Sequence, residues 1–156
     1  MTTAVTTDTP DRFAAALRQL GACQAARTWA TGLDYATAWT TSQNPDWLLW
    51  LLEAKQAISP QTNELLVCAF AREVLHLTTD KRVMACIETR EAWARGEATD
   101  TERAAARDAT WAAAWAAARA ATWAAAGAAA EAAAEAAAEA RQCELIRQIC
   151  PMPTLF

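Results

Sequence analysis

Residues 99–150 read TDTERAAARDATWAAAWAAARAATWAAAGAAAEAAAEAAAEARQCELIRQIC, and this stretch decides the fold. Alanine is the best intrinsic helix former, and the segment holds no Pro and a single Gly, Gly127. Thr99 and Glu102 stand at capping-box spacing, which opens a helix. Read as one continuous helix, the segment is about 50 residues long and spans about 75 Å. Gly127 costs about 1 kcal/mol relative to Ala, enough to kink such a helix without breaking it. A hairpin at Gly127 is the weaker alternative, because Ala on both sides offers no turn chemistry.

Nearly every fourth residue of the tract is something other than Ala: Arg103, Arg107, Trp111, Trp115, Arg119, Trp123, Gly127, Glu131, Glu135 and Glu139. Steps of four residues rotate the row by about 40° each, so it winds slowly and puts indoles on one side and carboxylates on the other. Regular aromatic spacing reads first as a core-facing row. The competing reading makes Arg107, Trp111, Trp115, Arg119 and Trp123 a partner- or ligand-binding strip, with Arg119 stacked between two indoles. Beyond the carboxylates, Leu145, Ile146 and Ile149 form an apolar patch flanked by Cys143 and Cys150. Either the same chain folds back over that patch or a second copy covers it, so it is the candidate self-association site.

Outward from this tract, the first hundred residues read as short helices. Pro10 with Asp11 opens one, and Phe13 and Leu17 give it an apolar face. Asp34 caps a second start, with Tyr35 and Trp39 one turn apart. Asn44-Pro45-Asp46 is a cap, a Pro at the first helical position and an acid; the helix it opens is apolar nearly all round, which belongs inside a bundle. Pro60 and Asp80 begin two more, with Leu66 and Phe70 on one and Val83 and Ile87 on the next. No segment alternates as a strand does. The fold class predicted is all-α: a compact bundle of about six short helices over residues 10–98, packed on one long Ala-rich helix over 99–150. Residues 1–9 are expected as a disordered tail and 151–156 as a C-terminal tail.

A chain of 156 residues is one domain with room for its own core. Its net charge of -4 gives no electrostatic footprint for nucleic acid. Charges interrupt the Ala tract too often for a bilayer span. The five cysteines are scattered, and no basic and apolar leader follows Met1, so reduced, mostly buried thiols in a cytoplasmic protein are expected. The single histidine, His76, sits at a helix end, where packing or capping is the ordinary role. No zinc, nucleotide-loop or dinucleotide motif occurs, and Cys68 lies two turns from His76, too far to pair with it. Glu88 and Glu91 read as a solvated face beside Arg90 and Arg95. These observations predict no catalytic set, no metal and no cofactor.

Gly21-Ala22-Cys23, Trp39, Asp46-Trp47-Leu48-Leu49-Trp50-Leu51, Ala71-Arg72 and the block Ile87-Glu88-Thr89-Arg90-Glu91-Ala92-Trp93-Ala94-Arg95-Gly96-Glu97-Ala98, followed by an Ala/Trp/Arg helix, form a pattern over residues 20–148. It resembles a family of small Ala-rich phage and bacterial proteins that carry an immunity-protein label. The resemblance implies a small binder that neutralises a toxin or modulates a defence component by protein–protein contact, and it carries over no ligand residues. Two other functions fit the residues. One is a self-assembling structural protein, a homo-oligomer paired through its Ala faces. The other is a small-ligand sequestering protein that holds nucleotides on Trp with Arg72, Arg82 or Arg119 on phosphate.

Overall fold

A computed structural model describes residues 8–73, 75–77, 79–108 and 128–156, and these are helical with no strand among them. In chain order they form α1 (Pro10–Gln19), α2 (Gln24–Trp29), α3 (Tyr35–Thr41), α4 (Pro45–Ala54), α5 (Pro60–Glu73), a short 3-10 turn (Leu75–Leu77), α6 (Lys81–Ala94), α7 (residues 100–108) and α8 (Ala128–Ile149).

Local chemistry sets most of these starts. The Thr9 hydroxyl accepts from the Arg12 amide, with Pro10 at the first helical position of α1. Asn44 caps α4 by accepting from the Trp47 amide at 3.1 Å, and Asp80 caps α6 by accepting from the Arg82 amide at 2.9 Å. At α3, Asp34 accepts from Thr37 at 2.7 Å. The second carboxylate there is Asp8, whose two oxygens take the amides of Tyr35 and Ala36 at 3.0 and 2.9 Å. Asp8 and Thr9 are therefore tied to the bundle. The disordered tail expected over 1–9 does not hold for these two residues, and residues 1–7 lie outside the described residues.

The core gathers Phe13, Leu17, Tyr35, Trp39, Leu48, Leu51, Leu52, Leu66, Cys143, Ile146 and Cys150. Burial of apolar side chains at about 25 cal/mol per Å² is what holds these short helices, none of which is long enough to persist alone. Two antiparallel helices, α5 and α6, make the closest pair, crossed by the Arg72–Glu91 ion pair and by the Cys68 thiol, which donates to the Ile87 carbonyl at 3.8 Å. The docked end of α8 lies against α4 and α5. Arg147 on it donates from Nε to the Trp39 carbonyl at 2.8 Å and from Nη2 to the Ser42 carbonyl, capping the C-terminal end of α3 with a cation.

The C-terminal segment is a strap and not a loose tail. The Tyr35 hydroxyl donates to the Pro153 carbonyl at 2.6 Å, Phe156 meets the Tyr35 ring edge-on at 6.4 Å, and the Arg12 guanidinium lies 4.3 Å from the Phe156 ring centre.

One expected surface needs correction. Leu145 is buried, Ile146 is fully buried, and Ile149 packs on the same core. The patch expected at a self-association surface is covered by the chain itself, because α8 folds back over α4 and α5. The continuous helix over 99–150, with a kink allowed at Gly127, is described only at its two ends, and these do not lie on one straight course. Arg103 pairs with Glu64, and Arg141 pairs with Glu73 at 3.3 Å, and both acids lie on α5. Along a single helix Arg103 and Arg141 stand about 57 Å apart, whereas Glu64 and Glu73 stand about 14 Å apart. Arg and Glu side chains do not bridge that difference, so α7 and α8 are not the two ends of one straight rod. The question of a kink or reversal at Gly127 falls outside the described residues.

Candidate binding cleft

The corner where α6 hands over to α7 is built by two local motifs. Gly96, at φ 77°, closes α6: the Glu97 amide donates to the Ala92 carbonyl at 2.8 Å and the Gly96 amide to the Trp93 carbonyl at 2.9 Å. Thr99 then opens α7 with a complete capping box. The Glu102 amide donates to the Thr99 hydroxyl at 3.2 Å, and the Thr99 amide donates to the Glu102 carboxylate at 2.8 Å. Between them only a few residues turn the chain, which lays α7 back against α5 and α6.

That return places Arg103 and Arg107, the first two rungs of the four-residue ladder, beside Glu64 of α5 and Arg90 of α6. These four and Ala104 line a cleft of about 270 Å³. Glu64 is only 8% exposed, so its carboxylate needs a partner. Arg90 supplies it, donating from Nε to Glu64 Oε1, and the hydrogen bond pushes the Arg90 pKa up. Arg103 sits farther off, with one terminal nitrogen 3.9 Å from Glu64 and the other 3.5 Å from Asp100. It also makes a cation–π contact: the guanidinium carbon lies over the Trp93 ring, 3.9 Å from its centre. The Trp93 indole is in turn held by its N–H, which donates to Asp100 at 2.9 Å. Arg107 reaches 3.7 Å from Asp108 and is largely exposed at the rim.

Three guanidinia and the Glu64 carboxylate line the cleft, with Asp100 and Asp108 beside Arg103 and Arg107. Among the described residues the two terminal nitrogens of Arg90 make no hydrogen bond, and Arg103 makes only the long ionic contacts given above. The same residues hold no cluster of three metal-ligating side chains. Cys68 lies behind the cleft, and burial pushes its thiol up to about 11, so it is a neutral packing group at physiological pH. Elsewhere, Phe13, Trp29, Trp39, Trp47 and Trp50 surround an apolar cavity of about 40 Å³. That volume is far below what an aromatic ligand fills; Phe13 and Trp39 are core, Trp47 and Trp50 are half-buried, and Trp29 is exposed.

Of the residues singled out from the sequence, Arg107 lies in the cleft. Trp111, Trp115, Arg119 and Trp123 lie outside the described residues. Leu145, Ile146 and Ile149 are structural. Glu91, read as solvated, is the bidentate partner of Arg72 at 2.6 and 2.8 Å and ties α6 to α5. Arg82 is likewise held by Asp80 at 2.6 Å, so two of the three arginines expected on phosphate are engaged. His76 Nδ1 donates to the Glu73 carbonyl, 3.0 Å away, as an end cap of α5. Sequence reasoning missed Glu64, Arg90 and the Arg103–Trp93 stack. A signal existed for Glu64: it precedes Cys68 and Arg72 at four-residue steps, a polar row on the α5 face that meets α6. No helix among the described residues is long and apolar enough to cross a membrane. Comparison with known proteins gives no match to a family model, a curated protein or a solved structure.

Proposed function

We propose that the protein is a non-enzymatic binding module of the immunity or anti-defence type, acting by protein–protein contact, and that the cleft at the α5–α6–α7 corner receives an anionic group of its partner. One observation carries the reading: Arg103 sits over the Trp93 ring while its donors make only long ionic contacts. An arginine held rigid before a ligand arrives loses little entropy on binding, which is what a recognition residue needs. Arg107 extends the cationic surface along the same ladder. The positions four, eight, twelve and sixteen residues further on, Trp111, Trp115, Arg119 and Trp123, are proposed as the outer part of the contact.

Pull-down with a tagged chain tests this in cells that make the neighbouring gene products and in cells that lack them. The wild type is expected to recover a specific partner, and Arg107→Glu to lose at least about tenfold of it, since charge reversal at a cationic contact costs more than about 1.4 kcal/mol. Equal recovery by both chains removes the cleft from the interface. Recovery of no specific partner removes the reading.

Self-assembly keeps one supporting observation: residues 133–139 of α8 are exposed on every face. Light scattering decides it, because a strict monomer at tens of micromolar protein excludes a stable oligomer.

A further inference from the structure

We infer that the opening ringed by aromatic side chains of α1 to α4 is a binding site for a small neutral molecule with an apolar body and one hydrogen-bond acceptor. The site lies apart from the α5–α6–α7 cleft, and the inference goes beyond the reading of that cleft. The first observation is the ring of indoles. Trp39 is 5% exposed, Trp47 and Trp50 are half-buried, and Trp29 is 37% exposed. All four line one cavity of about 40 Å³, with Phe13 and Tyr35 beside them. Trp29 and Trp47 meet at 5.4 Å between ring centres, with their planes at 48°. Aromatic side chains release the most free energy when they bury their area, so three indoles left partly wet around one cavity form a receptive wall for an apolar body.

The second observation is an unused donor. No acceptor among the described residues takes the Trp39 indole N–H, although a buried indole N–H ordinarily finds one. The hydroxyl groups on the same lining are engaged. Tyr35 donates to the Pro153 carbonyl at 2.6 Å, and Ser42 donates to the Asn44 carbonyl at 3.4 Å and accepts from the Asn44 amide at 3.3 Å. Among the described residues no fully buried side-chain nitrogen or oxygen lacks a partner, so the Trp39 N–H keeps contact with solvent, and the cavity that Trp39 lines is the way in.

The third observation is charge. Among the described residues no charged side chain lines the cavity. An ion there would lie on an apolar wall with nothing to answer it, so the ligand is neutral. Size then divides the ligand in two. A water molecule's share of liquid volume is about 30 Å³, so the enclosed space holds the acceptor atom and little more. The apolar body stays at the mouth, against Trp29, Trp47 and Trp50. The indole N–H fixes its orientation, as the few polar groups of an apolar pocket do.

Each tryptophan gives one indole signal in a nitrogen–proton correlation spectrum, eight for this chain, and Trp39→Phe assigns the one that matters. Three probes are titrated into the full chain. They are cyclohexanone, methylenecyclohexane (the same shape without the oxygen) and cyclohexanecarboxylate, which adds a charge. Expected is saturable binding of cyclohexanone at one site with the Trp39 signal moving most, and binding at least about tenfold weaker for the other two. Trp39→Phe keeps an aromatic ring and removes the donor, and is expected to weaken cyclohexanone at least about tenfold. Trp29→Ala, at the exposed mouth, is expected to weaken it too and serves if the core substitution unfolds the chain. Cyclohexanone that leaves every indole signal in place means that the cavity takes water only, and overturns the inference. Methylenecyclohexane binding as tightly overturns the acceptor, and the carboxylate binding as tightly overturns the neutral ligand. Affinity unchanged in both variants places the molecule elsewhere and overturns the site. None of these outcomes bears on the pull-down, which tests the α5–α6–α7 cleft.

Discussion

Single side chains carry more of this fold than the alanine count suggests. Arg147 supplies two charged donors to the carbonyls that end α3, and water does not replace them easily at a half-buried site. Arg147→Ala is expected to lower stability by about 2 kcal/mol, read as a shift in the denaturation midpoint with unchanged slope. Tyr35→Phe removes the only hydroxyl donor to Pro153 among the described residues and leaves a buried acceptor behind, for about 1–2 kcal/mol. A loss near zero in both variants means that the docking of α8 and of the C-terminal strap is worth little. Thiol chemistry gives a direct view of the same packing. Cys23 is exposed at the start of α2, while Cys68, Cys86, Cys143 and Cys150 are buried. One thiol per native chain is expected to react rapidly with an aromatic disulfide reagent, and the remaining four only on unfolding. Fast reaction of Cys143 or Cys150 would show that α8 is not seated.

At the scale of elements, caps and turns were the legible part. Thr99 with Glu102, Asn44-Pro45 and Asp80 read correctly because a cap is a local bargain between a side chain and nearby amides. The course of the long helix was not legible for the same reason. Nothing within 99–150 opposes a straight rod locally, and the information against it lies in Glu64 and Glu73, far away in sequence on α5. The cleft was half legible: the ladder named Arg103 and Arg107, but the partners Glu64 and Arg90 come from other helices, and nothing in the order of residues marks Trp93 as a platform. One turn invites a further test. Gln56 closes α4 with φ 49°, a left-handed conformation that side chains resist, and the Ala57 amide donates to the Leu52 carbonyl at 2.8 Å across it. Gln56→Gly is expected to raise stability by about 0.5–1 kcal/mol in thermal unfolding, and a loss instead would mean that the glutamine side chain is held by its surroundings.

For the molecule as a whole, ionisable groups bound the pH range of stability. The carboxyls of Glu91, Asp34 and Glu102 lie below their ordinary values through hydrogen bonds to Arg72, Thr37 and Thr99, and Asp80 falls to about 2 beside Arg82. Each is lower folded than unfolded, so its contribution is complete above the ordinary carboxylate range, about 4, and is lost as pH falls through the folded value. Tyr35, Cys68, Cys143 and Cys150 are raised by burial, Cys68 to about 11. Their contribution is complete below the ordinary thiol value and is lost as pH climbs toward 11. Thermal unfolding followed by circular dichroism is therefore expected to show a plateau from about pH 5 to pH 8 with losses on both sides. A maximum at pH 3 would contradict the carboxylate assignments.

Both described ends of the Ala-rich tract rest on α5, Arg103 on Glu64 and Arg141 on Glu73, and the first of these contacts closes the cleft. Pulsed electron spin resonance between labels at positions 104 and 140, in a chain with Cys23→Ser, measures that directly. A straight helix separates the two positions by about 54 Å. The expected distance is no more than about half of that, as the spacing of the two acids on one helix requires. A distance near the straight-helix value would lift α7 off Glu64 and leave no cleft to bind anything.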